Sequence, residues 1–181
     1  MSIHIRKAAA ADAALLTDLG RRSFTAAFEA MNSPENFAAY LAEAFSEQKQ
    51  AAELAQPGSI FLIAEAHDEP QTGQVEPVGY ARLLAGSTET CITGDNPIEL
   101  VRIYALGSYT GQGIGSALMQ AALQEARGRG HDVIWLGVWQ ENPRAVTFYE
   151  RWGFQKVGTH VFNIGADEQT DWIMQRGVGD A

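Results

Sequence analysis

Apolar and polar positions alternate from Ile3 to Lys7, which predicts a short first strand. The period then changes. Ala13, Leu15, Leu16, Leu19, Phe24 and Phe28 fall close to helical spacing and predict a helix to about Ala30. Ser33, Pro34 and Glu35 make a helix start: an N-cap, a proline at the first helical position and an acid in the first turn. Phe37, Tyr40, Leu41 and Phe45 are the apolar stripe of that second helix. Ser46 restarts a helix to Ala55, which Pro57 and Gly58 stop. Strands are predicted over 59–66 and 78–84, and the polar stretch HDEPQTGQVEP between them reads as a mobile hairpin tip. A central strand is predicted over 98–105, a helix over 113–129 and a strand over 133–138. That last run is apolar nearly throughout, as in a strand covered on both faces. NPRAVTFYERW is a short helix capped by Asn142, and 154–163 with 170–175 close the chain as a hairpin turning at Gly165.

The order is β, α, α, β, β, β, α, β, α, β, β. It implies an α/β (α+β) mixed sheet with helices on both faces. The strands IELVRIYAL and VIWLGV are joined through a helix, so this pair should be parallel and right-handed. No repeat or linker divides the 181 residues, so a single domain over 1–181 is expected. No apolar run reaches 18 residues, and the start of the chain reads as structure, so no membrane partner is expected. The single cysteine, Cys91, cannot form an internal disulfide, which suits a cytoplasmic location. Cysteine-based zinc sites are excluded, and His4, His67, His131 and His160 show no ligand spacing, so no metal is expected. The formal charge of −9 makes nucleic acid a poor partner and a cation a better one. The alternative is simply a soluble acidic surface. Nothing in the pattern separates a monomer from a homodimer.

One stretch organises the rest. Residues 109–116, YTGQGIGS, place Gly111, Gly113 and Gly115 between a β-prone run and a run of strong helix formers. Strand, glycine turn and helix N-terminus together can cradle a phosphate, because the first amides of a helix have no partners of their own. A tight turn between strand and helix would use glycine as well. A dinucleotide fold needs an acid at the end of the next strand, where this chain has GVWQENP, and a Walker loop needs Gly-Lys-Ser or Gly-Lys-Thr. Neither is present.

The blocks ELVRIYAL, TGQGIGSAL and NPRAVTFYERWGF, in this order and spacing, resemble the GNAT superfamily of acetyl-CoA-dependent N-acetyltransferases. NSPENFAAYLAEAFS, GTHVFNIG and EQTDWIMQR extend the likeness to PaiA-type polyamine N-acetyltransferases. Thr110 stands where the superfamily's loop has Gln or Arg, which removes a side-chain contact but leaves the backbone cradle. The resemblance implies the GNAT fold, a mostly antiparallel sheet with one parallel pair, and acetyl-CoA as co-substrate without a metal. It also implies transfer to a primary amine, such as that of spermidine or spermine, in a ternary complex. A protein N-terminus, a lysine or an aminoglycoside is the alternative acceptor, and a non-catalytic acyl-CoA-binding protein the alternative class.

The same resemblance assigns roles. Pantetheine would pair with backbone of Ile103, Tyr104 and Ala105. Gly111, Gln112, Gly113, Ile114, Gly115 and Ser116 would hold the pyrophosphate. Asn142 would reach the pantetheine and Arg144 would lie near the cofactor. Tyr149 would donate a proton to the leaving sulfur; its other reading is an aromatic packing residue, although Phe148 and Trp152 make the better core stripe. Glu99 would be the base; its other reading is a strand carboxylate facing solvent or paired with Arg102. Glu29, Glu35, Glu43 and Asp171 are candidates for a second ammonium, and Tyr40, Trp139 and His160 for the pocket wall.

Overall fold

In the computed structural model, which describes residues 2–68, 73–164 and 167–179, one mixed sheet carries the chain. Its strands are β1 (Ser2–Lys7), β2 (Ser59–Asp68), β3 (Gln74–Ala85), β4 (Pro97–Ala105), β5 (Val133–Trp139), β6 (Gln155–Ile164) and β7 (Asp167–Gly177). The helices are α1 (Ala13–Phe28), α2 (Pro34–Ala44), α3 (Glu47–Ala55), α4 (Ile114–Gly128) and α5 (Pro143–Arg151). The sheet has seven strands in the order β1-β2-β3-β4-β5-β7-β6. Every neighbouring pair is antiparallel except β4–β5. The expected elements are therefore all present, with differences in extent: the last strand, expected over 170–175, spans Asp167–Gly177. β2 and β3 run further than their apolar cores, through His67 and from Gln74, because cross-strand pairing carries the polar residues along. The expected mobile tip shrinks accordingly, and 69–72 lie outside the described residues, as does the expected turn residue Gly165.

Each face of the sheet buries its own core. Ile60, Leu62, Ala64, Leu83, Ile98, Leu100, Ile134 and Leu136 meet Ile114, Leu118, Met119 and Ala122 of α4. On the other face Phe61, Ile63 and Tyr80 pack under Leu16 and Leu19 of α1. Phe24, Phe37 and Phe45 extend that layer with α2, and the Tyr40 and Phe162 rings meet at 5.8 Å. Helices on both faces explain why β5 reads as a continuous apolar run.

The second face also holds charge. The carboxylate of Glu53 on α3 is buried and accepts from Arg102 at 2.6 and 3.1 Å, while Arg82 lies 3.1 Å away. Arg82 also donates to Gln56 at 2.7 Å and to Ser59 at 3.2 Å. The two guanidiniums lie over the rings of Phe61 and Phe45. Arg102 is thus paired with Glu53, not with Glu99. One carboxylate holds two buried cations from adjacent strands, so removing it leaves both uncompensated. Glu53→Ala is expected to cost about 3–5 kcal/mol of stability, read from the urea midpoint; a loss under about 1 kcal/mol would mean that the arginines find other partners.

Candidate active site

The site begins where the parallel pairing stops. β4 and β5 pair only through Pro97, Ile98 and Glu99 with Val133, Ile134 and Trp135. Just beyond, the β3–β4 register skips Val101: Leu83 faces Leu100 and Arg82 faces Arg102. A bulge of this kind bends its strand. β4 follows β3 while β5 stays with β7 as far as Trp139, so the two strands part. The gap continues into a cleft of about 780 Å³, walled by Ile103–Ala105, the loop from Tyr109, and α5.

The loop is shaped by two left-handed glycines, Gly111 at φ 83° and Gly113 at φ 87°. A side chain in that region costs energy, so glycine is required for the turn. Gly113 is also the N-cap of α4. The first helical bond runs from the Ala117 N–H to the Gly113 carbonyl at 2.9 Å. The amides of Ile114, Gly115 and Ser116 lie ahead of it, and these residues line the cleft. They form a positive helix end aimed at a cavity, which suits an anion.

Gln112 is placed differently from the expectation. It does not line the cleft. Its amide donates to the Tyr109 carbonyl at 3.2 Å and its side chain to the Ser108 carbonyl at 3.0 Å, so it closes the turn. Thr110 does line the cleft, although its amide is used within the turn by the Gly107 carbonyl. Asn142 caps α5 through its side-chain oxygen, which accepts from the Ala145 amide at 3.1 Å. That leaves its NH₂ group to reach the cleft. Arg144 lies one turn further on, and Thr147 and Arg151 share its wall. Arg151, Thr147 and Tyr109 were not singled out in the sequence, though the 144, 147, 151 spacing on α5 carries the signal for two of them.

Tyr149 lines the cleft with Phe148, and its ring lies 5.4 Å from that of Phe148 and 5.8 Å from that of Phe154. Phe148 and Trp152 pack against the core as expected, but Tyr149 joins them there, Phe148 also lines the cleft, and Val146 is the buried residue of α5. Burial raises the Tyr149 phenol above its usual 10, so it stays protonated across the working range. Tyr104 contributes backbone to the cleft while its ring packs toward Phe24 and Tyr80. Glu99 lies at the apex of the gap, opposite Trp135, and does not line the cleft. Its charge acts on Arg82.

A second group of polar side chains sits on the α1–α2 face beside the gap. Asp171 on β7 pairs in register with Trp139 on β5 and His160 on β6. It is 8% exposed, and among the described residues its Oδ1 is buried without a hydrogen-bond partner. Its Oδ2 lies 3.6 Å from His160 Nε2, and His160 Nδ1 lies 3.4 Å from Glu89. Burial raises the Asp171 pKa, and His160 opposes the shift. The cluster fits because residue 137 is glycine: a Cβ there would stand 2.9 Å from His160 Nε2. Trp139 meets Phe28 of α1 beside it. Glu29, Glu35 and Glu43 are not buried, so Asp171 is set apart from the other candidates for an ammonium.

Residues 24–154 match the model of the acetyltransferase (GNAT) family. The chain belongs to the GNAT family. It is 32% identical over 160 residues, 88% of each chain, to an uncharacterized N-acetyltransferase encoded in the pepI 3′ region of Lactobacillus delbrueckii subsp. lactis. It is 25% identical over 179 residues, 97% of this chain and 98% of the other, to a spermidine N(1)-acetyltransferase of Thermoplasma acidophilum. The fold matches the crystal structure of PaiA N-acetyltransferase from Thermoplasma acidophilum in complex with coenzyme A. The TM-score is 0.74 at 24% identity, covering 98% of this chain and 99% of that one. As a GNAT enzyme the chain is an acetyl-CoA-dependent N-acetyltransferase, and the cleft suits that co-substrate. A long gap beside an unpartnered strand edge leads to helix amides and two arginines, as a pantetheine arm with a pyrophosphate requires. Gly113→Ala should strain the loop by about 1–2 kcal/mol and weaken acetyl-CoA binding by about tenfold, measured by calorimetry; unchanged affinity would show that the turn does not set the amides.

Proposed function

We propose that the acceptor is a primary amine of a polyamine such as spermidine or spermine, entering from the α1–α2 face. The observation that carries this reading is the buried Asp171 oxygen without a partner, beside His160 and aromatic walls. A buried carboxylate with open hydrogen-bonding capacity suits an ammonium, and aromatic faces around it attract cations. The likeness to the Thermoplasma acidophilum spermidine N(1)-acetyltransferase supports the same class.

The roles follow from placement. Ile103, Tyr104 and Ala105 offer backbone to pantetheine. Gly111, Gly113, Ile114, Gly115 and Ser116 hold the pyrophosphate, with Asn142 and Arg144 beside it and Gln112 as support of the turn. Asp171 binds a protonated nitrogen of the acceptor and positions another at the apex. Freeing that attacking nitrogen from its proton, with a pKa near 10.4, costs roughly 4–5 kcal/mol at pH 7. Glu99 takes this proton through water. The bound thioester supplies the activated acyl group. As the N–C bond forms and the C–S bond breaks, Tyr149 donates its phenolic proton to the departing sulfur.

A panel of amines assayed for CoA release tests the acceptor. Spermidine or spermine should give the highest kcat/KM; preference for a protein N-terminus, a lysine or an aminoglycoside would overturn the polyamine reading. Tyr149→Phe is expected to lower kcat by about 10²-fold or more, with acetyl-CoA affinity nearly unchanged. Unchanged turnover at saturation would remove Tyr149 as the acid. Asp171→Asn should raise KM for the amine about tenfold or more. It should also not lower the melting temperature at pH 8. The sign is set by the raised pKa: above the unfolded value near 3.9 the native state binds more protons, so this group's ionisation costs stability as pH rises. A lower melting temperature with unchanged KM would make Asp171 structural.

A further inference from the structure

At the edge of the sheet farthest from β6, β1 and β2 bring together residues that the sequence keeps far apart. His4 lies directly opposite Glu65, and His67 follows two positions along the same strand. Ile3 and Ile5 point into the core under α4, so His4 takes the other face of β1. Leu62, Ala64 and Ala66 take the α4 face of β2, which leaves Glu65 and His67 on the face of His4. His4 Nδ1 and His67 Nε2 each stand 3.8 Å from the same carboxylate oxygen, Glu65 Oε2. The three ligand atoms lie within 4.8 Å of one another. No other such group of three occurs among the described residues.

We infer that His4, Glu65 and His67 form a binding site for a zinc-class divalent ion that clips the edge strand β1 to β2. Two imidazoles and a carboxylate are a donor set for zinc and its neighbours, not for calcium or magnesium. With bonds of about 2.1 Å, a tetrahedral ion holds its ligands about 3.4 Å apart, so each His–Glu separation of 3.8 Å closes by a few tenths of an ångström and the two imidazoles, within 4.8 Å, draw together by about 1.4 Å at most. The separations are too long for hydrogen bonds, so these atoms do not satisfy one another. Among the described residues His67 Nε2 in particular is buried with no hydrogen-bond partner, a costly arrangement that an ion would relieve.

The surroundings orient the carboxylate. Arg6 Nε donates to Glu65 Oε1 at 2.6 Å, which turns Oε2 toward the imidazoles. Arg6 is in turn held by both oxygens of Asp12, at 2.8 and 2.9 Å. Two carboxylates against one guanidinium leave the cluster with a net negative charge, so the arginine supports the ligand without repelling the ion outright. Outer partners of this kind commonly fix metal ligands. The site faces solvent through His4, whose side chain is 64% exposed, so an ion has a way in. β3 and β2 separate it from the acetyl-transfer gap beside β4, so its role is structural: it would hold an edge strand that otherwise offers open backbone to other chains.

The test is titration of the full chain with Zn²⁺ in competition with a chromophoric chelator. One equivalent should bind saturably, and His4→Ala and His67→Ala should each weaken binding by about tenfold or more. His131→Ala, remote from the cluster, should leave it unchanged. Saturating Zn²⁺ should raise the melting temperature of the parent and not of His4→Ala. His4 is an exposed strand residue, so that variant keeps the fold, and circular dichroism checks it. Absence of saturable binding, or binding that survives both histidine substitutions, overturns the site.

Discussion

The parting of β4 from β5 is the constraint on which the rest of this molecule depends. A sheet stabilises itself by pairing backbone, and leaving a strand edge unpaired inside a domain is costly unless something else satisfies it. Here two ordinary features produce the parting. A bulge at Val101 turns β4 along β3, and full-length pairing to β7 holds β5 in place. The open edge is where the proposed pantetheine arm would lie. The proposed pyrophosphate end is set by the same geometry, since the loop from Tyr109 reverses directly into the N-terminus of α4.

The two faces beside this gap have different chemistry. The α4 side is apolar and brings glycines, helix amides and the arginines of α5, a setting for phosphates and a thioester. The α1–α2 side is aromatic and carries buried charge. Glu53 binds Arg82 and Arg102 so completely that these cations form a fixed floor. Among the described residues Asp171 Oδ1 is left without a partner, while His160 lies between Asp171 and Glu89. An apolar wall with helix amides and arginines on one side and a buried acid on the other is the asymmetry that the proposed amine acetylation uses.

Much of this was legible in the sequence because it rests on local signals. The helices announced themselves by 3.6-residue spacing and by Asn142 and Ser46 at their starts, and each of these caps makes its bond. The glycine loop was legible because left-handed backbone at Gly111 and Gly113 demands glycine. The part played by Gln112 is less legible: motif position does not say whether an amide turns outward to a ligand or inward to its own turn, and this one donates to the Tyr109 carbonyl. On α5, spacing places Phe148 and Trp152 against the core, where they are found, but does not show that Phe148 also lines the cleft.

The sequence by itself determined the order and kind of elements, the parallel pair, and the glycine turn into α4, since these follow from periodicity, caps and glycine over a few neighbouring residues. The tertiary structure alone decided which charges meet. Asp171 with His160 and His4 with Glu65 and His67 are joined across strands, and Glu53 of α3 meets Arg82 and Arg102 of neighbouring strands, in a register that no local pattern encodes. Sheet register depends on bulges and on packing against both faces at once, and it is register that sets which of many similar carboxylates is buried, paired or left open.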